Sequence, residues 1–255
     1  MKLVRFLYKN KIRAGILNGT SVIEYAGSIF EPREASKKRG NIFYIKDIKI
    51  LPPSLPSKII AVGFNYKDHA KELGMRLPKE PVIFLKPPTS IIGNGDYIIY
   101  PKLVKRLDYE AELAFVVKRR AKDIKEKEAY KYILGYTCFN DVTARDLQRI
   151  DIQWTRSKSF DTFAPIGPFI ETDINPSGLG IRLYKNGVLK QSSNTDNLIF
   201  SPYELLSFIS RTMLLLAGDV ISTGTPKGVG PMKAGDTVEV VIDGIGSLKN
   251  RVKGE

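Results

Sequence analysis

Two glutamates, Glu110 and Glu112, stand at i and i+2 in Asp108-Tyr109-Glu110-Ala111-Glu112-Leu113-Ala114-Phe115-Val116-Val117. The stretch is rich in aromatic and β-branched residues and closes on Lys118-Arg119-Arg120, which predicts a β-strand over 110–117. Alternation along a strand puts both carboxylates on one face, roughly 7 Å apart. Like charges that close repel, and burial would penalise each of them again. Either that face meets water or a cation sits between the carboxylates. An all-oxygen ligand set selects a hard ion, magnesium first and manganese or calcium behind it. Asp141 follows Asn140 at the end of a predicted strand over 133–140, where the turning chain exposes its side chains and can supply a third ligand. Taken alone, Asp141 reads more simply as a turn or helix-cap residue.

His69 and Glu72 are three apart on a short predicted helix over 66–73, so they share a face. A carboxylate within reach orients a neutral imidazole, which can then take a proton from water. The same spacing also suits a solvated pair on a lysine-rich helix. Gly63 and Gly74 flank this segment and would let it move as a lid. Lys158, in Trp154-Thr155-Arg156-Ser157-Lys158-Ser159-Phe160-Asp161, could stabilise an oxyanion or simply face solvent. Gly224-Thr225-Pro226-Lys227-Gly228-Val229-Gly230 lacks the order of a nucleotide-binding phosphate loop and no helix follows it. Its backbone N–H groups can still approach an anion.

The elements that must position these residues are mostly strands. Ile12–Ile16 and Ser21–Tyr25 predict a hairpin across Leu17-Asn18-Gly19-Thr20, with a further turn at Lys9-Asn10. Leu51-Pro52-Pro53-Ser54-Leu55-Pro56 suits neither a helix nor an inner strand and marks a domain boundary, between a small unit over 1–56 and a large one over 57–255. Beyond it, strands are predicted over 58–63, 81–85, 97–100, 110–117, 133–140, 169–171, 180–185, 219–223 and 237–242, with a helical piece over 126–131. Ser201-Pro202-Tyr203-Glu204 supplies a capping serine, a first-turn proline and a box-closing glutamate. The helix it opens carries Leu205, Leu206, Ile209, Met213 and Leu216 on one face and is expected to end at Gly218. Many strands with few helices indicate an α+β, mostly β fold, a roll or barrel-like domain without alternating βαβ units.

Composition bounds the function. The 255 residues are 43% hydrophobic and 26% charged, as in a folded globular protein. No apolar run approaches the roughly 18 residues that span a bilayer. Charge interrupts the first nine residues too early for a signal peptide. A lone cysteine, Cys138, fits a reducing cytoplasm, and a lone histidine rules out metal sites built on several histidines. The net charge is +13, and residues 1–58 hold 12 Lys/Arg against 4 Asp/Glu. Lys37-Lys38-Arg39 has no nucleic-acid motif around it, so a lysine-rich solvated surface is the expected reading and a basic nucleic-acid-binding module the rival.

Together these segments resemble the fumarylacetoacetate hydrolase (FAH) family, over about residues 57–250. The resemblance is carried by Gly63-Phe64-Asn65-Tyr66-Lys67-Asp68-His69-Ala70-Lys71-Glu72, Phe84-Leu85-Lys86-Pro87, Asp108 to Leu113, Asn140 to Gln148, Lys158 to Asp161 and Thr223 to Gly230. It implies an FAH-type mixed β-sandwich roll assembled as a homodimer, with magnesium or manganese held by Glu110, Glu112 and Asp141. It further implies that His69 and Glu72 activate water from a lid, that Lys158 stabilises the oxyanion, and that Arg145, Gln148 and Thr225 line the substrate pocket. Such enzymes act on 2-oxo acids through a metal-bound enolate. Acylpyruvate hydrolysis is the leading expectation. Behind it stand 2-hydroxyhepta-2,4-diene-1,7-dioate isomerisation, oxaloacetate-type decarboxylation and sugar-acid dehydration. No membrane or nucleic-acid partner is implied.

Overall fold

The computed structural model describes residues 1–25, 29–30, 40–72 and 74–255, so Lys37-Lys38-Arg39 and Leu73 lie outside it. Its main layer is a mixed sheet of twelve strands. At the centre runs Ala111–Val117, with Ile133–Asn140 on one side and Val220–Ser222 on the other. Every residue of the first two strands is buried, because both faces of the sheet are covered. On one face Leu113, Phe115, Tyr136 and Cys138 share a core with Ile181, Leu183, Val238 and Val240 of a five-stranded sheet. On the other, Ala114, Val116, Leu134 and Phe139 pack with Ile166, Ile170 and Val220. The fold is the mostly β, two-layered arrangement expected.

The N-terminal hairpins form as their turns dictate. Lys9 and Asn10 both take positive φ between Lys2–Tyr8 and Lys11–Asn18, and Gly19-Thr20 closes the next hairpin. Lys2–Tyr8 then pairs with Ala164–Glu171, so these strands extend the large sheet. Ala164–Glu171 is longer than the predicted 169–171. Pro168 lies inside it, where the register against Ile133–Asn140 shifts and a missing N–H is tolerated. The capped helix spans Pro202–Thr212 with the full capping box and buries Leu205, Leu206 and Ile209. It ends before Met213, short of the predicted Gly218, because the chain turns extended and Leu215 bridges to Ala121.

Candidate active site

The chain changes sheet at Glu110. Leu107–Tyr109 pairs with Thr143–Ala144 and Gly230–Met232 in a three-stranded sheet, whereas Ala111–Val117 belongs to the large one. Glu110, expected within a single strand, sits at the junction. Its N–H donates to Asn140 Oδ1 (2.9 Å) and its carbonyl accepts from the Asp141 N–H (2.9 Å). Since Ala111 faces Asn140 across the ladder, Glu110 and Asp141 are held opposite each other. One carboxylate oxygen from each of Glu110, Glu112 and Asp141 lies within 4.8 Å of the others. The three residues are 6%, 1% and 1% exposed, so this is not the wet face of a strand.

Cations occupy only part of the cluster. Asp141 accepts from Lys86 and Lys158, and Glu110 accepts from Arg145 and, at 3.0 Å, from Lys158. Burial would raise the Glu110 carboxyl, but the Lys158 and Arg145 charges beside it hold it down to about 2. Burial would lower Lys158, yet Asp141 and Glu110 outweigh it and hold the ammonium form. Lys86, fully enclosed, is pulled down by burial. Glu112 has no cationic partner among the described residues: its Oε2 accepts from Ser222 Oγ and from the Gly224 N–H (2.8 Å). Burial, then the Asp141 and Glu110 charges, push its carboxyl well above the usual range. A buried, oxygen-only cluster with one uncompensated member fits a hard divalent cation, which would relieve that repulsion.

A cavity of about 390 Å³ opens on the cluster, lined also by His69, Arg145, Gln148, Lys158 and Thr225. Every expected site residue except Glu72 therefore borders it. Glu72 stands behind His69, its Oε2 2.9 Å from Nδ1. A carboxylate only accepts, so Nδ1 is the nitrogen that donates to Glu72, and Nε2 is left without that partner. The helix Lys67–Glu72 is tied down at both ends. Ser193 Oγ donates to Asp68 (2.6 Å), and the Gly228 N–H donates to Glu72 (3.3 Å). The glycine-rich loop thus spends that N–H on Glu72. Gly63, expected as a hinge, is a packing glycine: a Cβ there would meet the Trp154 ring at 2.7 Å. Gly74 does take positive φ, with open space around it.

Sequence reasoning gave no role to several residues that complete the site. Lys86 appeared only as part of a motif, because a lysine on a strand gives no sign of burial. Asp108 is buried beneath Arg106 and Arg145, accepting from both. Gln191 is buried and joins two site elements. It accepts from the Ala111 N–H and donates to Thr225 Oγ1 and to the Pro226 carbonyl, each at 2.9 Å. Trp154 stacks edgewise on Phe64 and Phe84, and all three line the cavity.

A family profile described as fumarylacetoacetate (FAA) hydrolase C-terminal matches residues 58–253. This chain belongs to the fumarylacetoacetate hydrolase family. A second profile, Rv2993c-like N-terminal, matches residues 1–53. Uncharacterized protein MJ1656 of Methanocaldococcus jannaschii is 58% identical over 219 residues, 86% of this chain and 90% of that one. The mitochondrial oxaloacetate tautomerase fahd2 of Xenopus laevis is 40% identical over 254 residues, 95% of this chain and 78% of that one. Among solved structures, 5-carboxymethyl-2-hydroxymuconate delta-isomerase from Mycobacterium smegmatis superposes over 100% of both chains with a TM-score of 0.92 and 41% identity. Maleylpyruvate hydrolase from Sphingobium sp. SYK-6, solved with manganese(II) and pyruvate, covers 100% of this chain and 99% of its own with a TM-score of 0.85 and 26% identity. The family's enzymes thus include tautomerase, isomerase and hydrolase members around one fold.

Proposed function

We propose that this enzyme moves a proton at the carbon next to the 2-oxo group of a 2-oxo acid, interconverting keto and enol forms or shifting a conjugated double bond. The observation that carries the reading is a base, His69 backed by Glu72, lining the same cavity as the buried acidic cluster. The tautomerase and isomerase relatives, at 40% and 41% identity, support proton transfer ahead of bond cleavage. Glu110, Glu112 and Asp141 would hold one divalent cation, magnesium first and manganese behind it, supplying electrophilic stabilisation of charge on the 2-oxo oxygen. The maleylpyruvate hydrolase solved with manganese(II) and pyruvate supports both the ion and the ligand class.

The chain's own groups do the rest. His69 Nε2 takes the proton from carbon and returns it elsewhere on the conjugated system, while Glu72 steadies the imidazolium. Lys158 spends two N–H groups on Glu110 and Asp141 and keeps a third for the developing oxyanion. Thr225 accepts from Gln191, so its own proton is free to donate to substrate. Trp154, Phe64 and Phe84 give the cavity an aromatic wall for the substrate's carbon chain.

Acylpyruvate hydrolysis is the second reading, because a base that takes a proton from carbon can take one from water. Oxaloacetate decarboxylation needs neither. A panel of enol-oxaloacetate, a 2-hydroxy-dienoate and acetylpyruvate, each with and without magnesium, separates the three. Turnover of none of them, with metal bound, would overturn the proposal. The family reading also carries a homodimer in the cytoplasm, checked by light scattering, with residues 1–56 as a unit outside the chemistry.

A further inference from the structure

Four cationic side chains line the cavity: Arg106, Arg145, Arg149 and Lys158. Three already face carboxylates, Arg106 on Asp108, Arg145 on Asp108 and Glu110, and Lys158 on Glu110 and Asp141. Arg149 has no ion pair among the described residues and is exposed. It sits four residues after Arg145 on the helix Arg145–Ile150, so it shares that residue's face one turn further on, about 6 Å away. The apolar part of the cavity lining is supplied by Val62, Phe64, Phe84, Trp154 and Val229. The cavity thus combines a buried acidic cluster, an apolar lining and one guanidinium without an ion-pair partner among the described residues.

We propose that Arg149 selects the substrate by receiving a second carboxylate at the end remote from the 2-oxo group. This inference rests on the 2-oxo acid reading and extends it: the preferred substrates are dicarboxylic 2-oxo acids whose carbon chain crosses the aromatic wall. A guanidinium presents paired N–H donors that match a carboxylate bidentately. At an exposed mouth it can swing to ligands of somewhat different length. An acid that ends in a methyl group leaves this donor fork in water and gains nothing from it.

The test uses two stable ligands that differ in this one group, 2-oxoglutarate and 2-oxopentanoate. Each is titrated calorimetrically into the full-length protein with magnesium present, for the wild type, Arg149→Ala and Arg149→Lys. The wild type is expected to bind 2-oxoglutarate at least about tenfold more tightly than 2-oxopentanoate. Arg149→Ala should bring that ratio to near one, and Arg149→Lys should keep part of it. If both acids bind but the wild type does not distinguish them, or the preference survives in Arg149→Ala, the role of Arg149 is overturned while the 2-oxo acid reading stands. Failure of both acids to bind would remove that reading and the selector with it.

Discussion

Asp141 accepts from two enclosed ammonium groups, whereas Glu112 on the adjoining strand has no cationic partner among the described residues, so neighbouring carboxylates should respond oppositely to neutralisation. Asp141→Ala leaves Lys86 and Lys158 under-compensated in a buried site and should lower the stability of the metal-free protein by about 3–5 kcal/mol in urea unfolding. Glu112→Gln removes a repelling charge and should leave the metal-free midpoint unchanged or raised. Equal losses in the two variants would show that the charges are not arranged as described. At the base, His69→Ala should slow tautomerisation or isomerisation by about 10²- to 10⁴-fold. Oxaloacetate decarboxylation, which needs only the electrophile, should fall far less. Parallel loss of both activities would contradict a proton-transfer role for His69.

The elements that hold these residues differ in how much the sequence disclosed. Glu110 and Glu112 were legible as same-face neighbours because a two-residue repeat says so, and Asn140 ends its strand where the pattern placed it. The change of sheet at Glu110 was not legible, since it depends on Asn140 and Asp141 reaching across the ladder. Val188–Asn194 and Gly246–Gly254 were missed as strands because their buried positions include polar residues, Gln191 and Asn250. Gly63 read as a hinge because local sequence cannot show the Trp154 ring packed over it. Gly63→Ala should therefore destabilise the protein by about 1–3 kcal/mol through overpacking and lower turnover by displacing Trp154. Full activity with unchanged stability would restore the hinge. The cap at Ser201 stands apart from the cavity: Ser201→Ala should cost about 1 kcal/mol in unfolding with no change in KM.

Across the whole molecule, the two sheets close over Cys138, whose thiol is pushed up to about 12 by burial and is 0% exposed. At pH 8 it should resist a thiol reagent in the native protein and react once denaturant opens the core. Rapid native labelling would mean that the sheets part more readily than their packing indicates. The basic excess belongs to the same scale. Among the described residues no helix is long and apolar enough to cross a membrane, and a net charge of +13 suits attraction of anionic substrates. The most direct measurement is a calorimetric titration of manganese(II) into the metal-free protein and into Glu110→Ala, Glu112→Ala and Asp141→Ala. One ion per chain should bind to the wild type, with affinity reduced by about two orders of magnitude or more in each variant. No binding at millimolar manganese, or binding that survives any of the three substitutions, would contradict a site made by these carboxylates.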